Sequence, residues 1–140
     1  MASISPFIPL INKGLTKFQP VYVKDVAKAV YVVINNNKYC GQTYSLGGPE
    51  VISFKEIIDF ILLKIRKKRI YIPLSFPQIK LMAIFFSILP NAPITLDQVK
   101  LLEKDNVVLK KEKGFKELGI KPYSIYSSAE QYLNRYISRY

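Results

Sequence analysis

The chain has 140 residues, 49% of them hydrophobic, so it can bury a core and does not have the composition of a disordered protein. Its 21 lysines and arginines outnumber its 10 acidic residues and give a formal net charge of +11. It has one cysteine and no histidine. A structural zinc site and the catalytic triads that depend on imidazole are therefore excluded.

The excess of basic over acidic residues favours nucleic acid or an anionic membrane surface as a partner. Coding bias is a simpler explanation, since lysine, isoleucine, asparagine and tyrosine are all abundant, as in AT-rich genomes. Aromatic and basic residues do not alternate at a binding spacing, which argues against nucleic acid. The single thiol, Cys40, can form no intrachain disulfide, so we expect a reducing, cytoplasmic location. The longest apolar stretch, residues 76–90, is shorter than the ~20 residues that span a bilayer.

The first predicted elements are a strand and a helix with almost no connection between them. "FQPVYV", Phe18 to Val23, alternates like a strand, and Pro20 places it at a strand start or a sheet edge. Asp25 is predicted to cap the helix that follows. The apolar positions of this helix recur at helical spacing, at Val26, Ala29, Val30, Val33 and Ile34. "TYSLGG", residues 43–48, then predicts a short strand that ends at glycines.

Three capping boxes predict the starts of later helices. They pair Ser53 with Glu56, Thr95 with Gln98, and Ser127 with Glu130. "RIYIPL" predicts a strand ending at Pro73, and an apolar helix is predicted over Phe76 to Leu89. The apolar stripe of the last helix, interpreted as a packing or interface surface, comprises Ala129, Tyr132, Leu133, Tyr136, Ile137 and Tyr140. The sequence thus predicts a mixed α/β unit with several helices and a small sheet, and so small a sheet suggests part of a domain.

No active site is visible in the residues themselves. Gly47 and Gly48 precede a helix but lack the G-x-G-x-x-G spacing of a dinucleotide loop, and we interpret them as a turn. Tyr-x-x-x-Lys pairs are expected by chance in a chain so rich in both residues. The basic segment "KIRKKR", residues 64–69, follows a helix and complements its dipole. Contact with an anionic surface is the alternative for this segment.

The order of several motifs resembles the C-terminal half of a group of atypical extended short-chain dehydrogenase/reductases. These motifs are "KFQPVYVKDVAKAV", "GQTYSLGGPEVISFKEII", "RIYIPL", "LPNAPITLDQVKLLEKDNVV" and "FKELGI". The group is related to NAD-dependent epimerase/dehydratases and includes the nucleotide-binding accessory subunit of respiratory complex I. The resemblance implies an α/β fold that corresponds to the substrate-side lobe, with the N-terminal Rossmann domain absent. It also implies one partial domain over residues 1–140.

The family's glycine-rich loop and its catalytic tyrosine and lysine have no matching positions here. The resemblance therefore implies no catalytic residue and no cofactor in this chain alone, although NAD(P) is implied for the full-length family. It implies a fragment that is not catalytically competent alone and that acts by joining a separately encoded N-terminal Rossmann half. Gln19 and Tyr22 are the candidates for facing a substrate at the floor of the cleft.

Two alternatives stay open at this point. The first is a non-catalytic interaction or assembly module, peripheral to the inner membrane, which meets a membrane-bound respiratory complex through its basic surface and its apolar helix. The second is a non-functional remnant of a split gene. The sequence does not distinguish NAD from NADP for a full-length form.

Overall fold

A computed structural model describes residues 6–86 and 96–133 and shows a chain of helices and short strands. In chain order, the elements are β1 (Phe7–Ile11), β2 (Lys17–Phe18), α1 (Val23–Ile34), β3 (Ile52–Ser53), α2 (Phe54–Lys64), β4 (Ile70–Leu74), α3 (Phe76–Phe86), α4 (Leu96–Leu101) and α5 (Ile125–Leu133). Two 3₁₀ turns lie at Asn12–Gly14 and Asn37–Tyr39. The predicted mixed α/β class is confirmed.

The main sheet pairs β1 with β4 in parallel, in a register that runs from Phe7 opposite Ile70 to Ile11 opposite Leu74. The second sheet pairs the two short strands β2 and β3. The predicted strand "RIYIPL" is confirmed as β4. The sequence patterns do not predict β1, because Pro9 lies within its five residues and Pro6 directly precedes it, so that no alternation is visible.

Two other predicted strands differ from the structure. The strand predicted over Phe18 to Val23 shrinks to β2, because Pro20 lacks an N–H for a ladder and α1 already begins at Val23. The strand predicted over residues 43–48 is wrong. This segment has no ladder, and one backbone–backbone hydrogen bond joins it to another described segment, from the Ser45 N–H to the Lys113 carbonyl at 2.8 Å.

The chain divides into two compact units, each made from separate stretches of sequence. The first contains the described parts of residues 1–17 and 53–105, and the second contains residues 18–52 and 106–133. The first core consists of Ile11, Ile79, Ala83 and Val99, and the second of Ala29, Phe115, Leu118 and Ile120. The single partial domain over residues 1–140 stays a prediction.

The helix starts test the three capping boxes. The box at the start of α2 is confirmed: the Glu56 N–H donates to the Ser53 hydroxyl, and the Glu56 carboxylate accepts from the Ser53 N–H at 2.7 Å. The box at Ser127 is wrong. α5 begins earlier, at Ile125, and the Ser124 hydroxyl accepts a hydrogen bond from the Tyr126 N–H at 3.2 Å.

Some predictions fall outside the described residues. These are Thr95 of the second box, the end of the apolar helix at Leu89, and the stripe residues Tyr136, Ile137 and Tyr140. Within the described ranges, no helix combines the length and the apolar character needed to cross a bilayer.

Candidate functional site

The second unit contains an open cavity of about 240 Å³ beside the start of α1. One wall is the segment that leads into α1, and the other is one face of α5. The lining residues are Pro20, Val21, Tyr22, Val23, Ile125, Ser128, Ala129 and Tyr132. The α5 residues are spaced i, i+3, i+4 and i+7, so one helical face supplies that wall.

Two carboxylates hold the segment that leads into α5. Asp25, which is only 3% exposed, accepts a hydrogen bond from the Tyr123 N–H at 2.7 Å. Glu50 accepts from the Ile125 N–H at 3.3 Å. The prediction that Asp25 caps α1 is therefore wrong. Asp25 lies within the first turn of α1, where no side chain caps the helix, and its carboxylate bonds to a distant backbone instead.

Tyr22 and Tyr132 line the cavity, and Tyr123 packs against Tyr22. The ring of Tyr22 makes edge-on contacts with Tyr123 at a centroid distance of 6.0 Å and with Tyr132 at 6.5 Å. The ammonium group of Lys24 lies 5.9 Å from the centroid of the Tyr22 ring. Edge-on aromatic pairs and a cation over a ring are both favourable arrangements. Together they fix the position of Tyr22.

The cavity offers apolar contact and few groups that can transfer a proton. Its one aliphatic hydroxyl, on Ser128, donates to the Ser124 carbonyl within α5 at 2.9 Å. Neither phenol hydroxyl of Tyr22 and Tyr132 has a hydrogen-bond partner among the described residues. No described group of three or more cysteine, aspartate and glutamate side chains could hold a metal ion. The site is therefore suited to binding an apolar or aromatic group.

The two predicted cleft residues have different environments. Tyr22 lines the cavity, whereas Gln19 does not. The Gln19 amide donates to the Gly48 carbonyl at 2.8 Å and accepts from the Val108 N–H at 2.9 Å. A side chain at Gly48 would not fit, because its Cβ would lie 1.8 Å from the Pro20 carbonyl oxygen. Gln19 thus ties two loops together in the structure.

Tyr123 and Ser128 were not predicted as site residues. Ser128 lies four residues before Tyr132 on the same face of α5, so a correct start for α5 would have placed it there. Tyr123 precedes α5 and carries no periodic signal. Only the structure, through the hydrogen bond with Asp25, shows that Tyr123 lies beside Tyr22.

The chain is similar in sequence to mitochondrial subunits of NADH dehydrogenase. It is 36% identical to NADH dehydrogenase [ubiquinone] 1 alpha subcomplex subunit 9 of Arabidopsis thaliana, over 93% of this chain and 35% of the relative. It is 29% identical to the NADH-ubiquinone oxidoreductase 40 kDa subunit of Neurospora crassa, over 92% of this chain and 35% of that subunit. The chain therefore spans about a third of the length of these relatives. No family model matches it.

Two solved structures share its fold at 19% sequence identity. The crystal structure of gox2253 gives a TM-score of 0.61 over 96% of this chain and 40% of that protein. The triphenylmethane reductase of Citrobacter sp., complexed with NADP(H), gives 0.64 over 93% of this chain and 45% of the reductase. The resemblance predicted from the sequence motifs is thus confirmed: the chain is similar in sequence to these complex I subunits over about one third of their length, and it shares its fold with an NADP(H)-bound reductase.

Proposed function

We propose that the chain is a non-catalytic lobe that works only when it is joined to a nucleotide-binding Rossmann part. One observation carries this proposal: α1 has a second apolar face that the described residues leave exposed. Val23, Val30, Tyr31 and Ile34 are 64%, 51%, 69% and 74% exposed. With Ala27 they form a stripe along one side of the helix, which we call the α1 stripe.

The opposite side of α1 is already used. Ala29 packs in the core of the second unit with Phe115, Leu118 and Ile120. A helix that lies on one core needs a single apolar side, whereas a helix that is apolar on both sides is typical of the interior of a larger protein. Burying a Val or Ile side chain contributes about 1.5–3 kcal/mol. The α1 stripe is therefore a substantial surface for a partner.

The comparisons support a Rossmann part as that partner. The chain matches 35% of the Arabidopsis relative and 45% of a reductase that carries NADP(H). Its own sequence has no G-x-G-x-x-G loop to hold a pyrophosphate. The nucleotide would then be bound mainly by the joined part, whether a separate polypeptide or a longer form of the same one supplies it. Tyr22 would face the substrate side of the resulting cleft.

The relatives suggest where such an assembly would act. Both are subunits of NADH dehydrogenase, so we propose a membrane-bound respiratory complex as the larger partner. The location that fits this role is the cytoplasmic surface of an inner membrane. Nucleic acid has no place in this function.

The proposal is tested by co-expressing the chain with a tagged version of the rest of the Arabidopsis relative, about two thirds of that protein. We expect the chain to co-purify as a 1:1 complex, with Ile34→Lys lowering recovery at least tenfold because a buried unpaired charge is costly. Leu109→Lys is the matched control, since Leu109 is 54% exposed in the same unit but lies outside the stripe. Equal recovery of the two variants would contradict the proposal.

A further inference from the structure

The loop between α2 and β4 concentrates positive charge. Residues 64–69, which we call the basic loop, are Lys64, Ile65, Arg66, Lys67, Lys68 and Arg69. Five of the six are cationic, and the sixth, Ile65, is buried at 6% exposure. The buried isoleucine anchors the loop to the first unit, while Arg66 and Lys68 are exposed.

The backbone of the basic loop has an unusual residue at its turn. α2 ends with the Lys67 N–H donating to the Leu62 carbonyl at 3.0 Å and the Arg66 N–H donating to the Leu63 carbonyl at 3.2 Å. This pair of bonds defines a Schellman motif, whose turning residue is usually glycine because it needs a left-handed conformation. Here it is Arg66, at φ 55°. An arginine in this conformation costs stability that glycine would not, and residues in such strained conformations are concentrated at functional sites.

The carboxylates of the first unit have partners elsewhere. This unit carries 11 lysines and arginines and 5 aspartates and glutamates among its described residues, a net charge of +6. The partners are the Ser53 cap for Glu56, Lys55 for Asp59, Lys100 for Asp97, Lys80 for Glu103 and the Lys17 N–H for Asp105. Arg66 and Lys68 are not among these partners, and both are exposed to solvent.

Exposed aliphatic side chains flank the basic loop on both sides. Leu63, just before it, is 75% exposed, and Ile70, just after it, is 61% exposed. Ile70 lies opposite Phe7 in the β1–β4 ladder, and Phe7 is 48% exposed. Cations with apolar residues at their edge are suited to the boundary between lipid headgroups and acyl chains.

We propose that the basic loop, with Leu63 and Ile70, is a docking site for an anionic lipid bilayer surface. Clustered lysines and arginines bind anionic lipid through charge complementarity, and each contributes roughly a fivefold gain in partitioning. Leu63 and Ile70 favour a bilayer over nucleic acid, because aliphatic side chains give bases no stacking surface. This proposal goes beyond the proposed function and does not use the α1 stripe.

The test measures binding of the 140-residue chain to phosphatidylcholine vesicles with and without about 30 mol% phosphatidylserine, by flotation at low and high salt. We expect binding to the anionic vesicles only, weakened by salt. The double variant R66Q/K68Q should lower the partition coefficient roughly 10- to 30-fold. K110Q/K111Q is the matched control, since both lysines are exposed in the second unit and the net charge changes equally. It should change partitioning less than twofold.

A third variant separates binding from folding. Arg66→Gly relieves the left-handed strain and should raise the melting temperature by about 3–5 °C. It should nevertheless lower vesicle binding about fivefold, because one cation is lost. Equal loss in both double variants, equal binding to neutral vesicles, or tighter binding of a short RNA with the same dependence on Arg66 and Lys68 would each overturn the proposal. None of these outcomes depends on recovery of the Ile34→Lys variant, so the two proposals fail separately.

Discussion

The carboxylate of Asp25 accepts a hydrogen bond from the backbone N–H of Tyr123 at 2.7 Å, although 98 positions separate them in the chain. Asp25 is buried in the first turn of α1, and Tyr123 lies just before α5. This bond places Tyr123 against Tyr22, which lines the cavity. A residue that the sequence marks as a helix cap thus supports the site through tertiary structure.

Replacing Asp25 should destabilise the second unit. Asp25→Ala leaves the Tyr123 N–H without its acceptor and should lower the free energy of unfolding by about 1–3 kcal/mol. Asp25→Asn keeps an acceptor oxygen and should lower the free energy of unfolding by less than Asp25→Ala. Asp97→Ala is the control, because the Asp97 side chain is 90% exposed and its ion pair with Lys100 at 3.4 Å contributes little. Urea denaturation of the three variants checks the order, and equal values for Asp25→Ala and Asp97→Ala would contradict it.

Gln19 should contribute to the stability of the folded chain. Gln19→Ala removes the bonds to the Gly48 carbonyl and the Val108 N–H, and should lower the free energy of unfolding by about 1–3 kcal/mol. Gln19→Glu can still accept from the Val108 N–H but places a carboxylate oxygen against the Gly48 carbonyl oxygen, so it should be at least as destabilising as Gln19→Ala. Chemical denaturation measures this order. A Gln19→Ala variant as stable as wild type would show that the two loops do not need the clamp.

The hydrogen bond between the Tyr71 hydroxyl and Asp59 should make the stability of the first unit depend on pH in the alkaline range. Burial and this bond raise the pKa of Tyr71 to about 12, from an ordinary value of 10. A raised pKa in the folded state means that the stabilisation is complete below pH 10 and is lost as the pH rises through 12. Tyr71→Phe should remove this alkaline loss. Absorbance titration of the phenols in both proteins checks it, and a Tyr71 phenol that titrates at its ordinary pKa would contradict it.

The stability that the capping box of α2 contributes should fall when Ser53 is replaced and when the pH is lowered. Ser53→Ala removes the acceptor for the Glu56 N–H and should cost about 1 kcal/mol of stability. Hydrogen bonds from the Ser53 hydroxyl and N–H lower the pKa of Glu56 below its ordinary 4.5. The contribution of Glu56 is therefore present above pH 4.5 and is lost as the pH falls further. Thermal melts of wild type and Ser53→Ala should differ less at pH 3 than at pH 7, because the bond from the Ser53 hydroxyl to the Glu56 carboxylate weakens in acid while the cap of the Glu56 N–H remains. A difference that stays constant would contradict this account.

Sequence patterns predicted part of the fold. The Ser53–Glu56 box depends on neighbouring residues and was predicted correctly. Strand β4 was predicted from its own β-branched and aromatic residues, although its pairing with β1 is long-range. Strand β1 depends on a partner about 60 residues away, and the segment 43–48 lacks the ladder that its alternation suggested. Periodicity carries no information on such long-range pairing.

The candidate site was likewise predicted only in part from the sequence. Tyr22 was predicted as a cleft residue and lines the cavity, but Tyr123 is positioned against Tyr22 by a hydrogen bond between distant residues. The unusual turn at Arg66 could not be predicted, because arginine itself carries no left-handed signal. The charge of the basic loop was visible in the sequence. The structure was needed to show that the partners of the unit's described carboxylates do not include Arg66 or Lys68.

The most direct test of the central claim is a calorimetric titration of the purified 140-residue chain with NADPH and NADH. The account predicts no binding heat up to ligand concentrations of about 1 mM, because the chain has no glycine-rich loop to hold a pyrophosphate. Circular dichroism must show a folded chain under the same conditions. Micromolar binding of either nucleotide by the isolated chain would contradict the account.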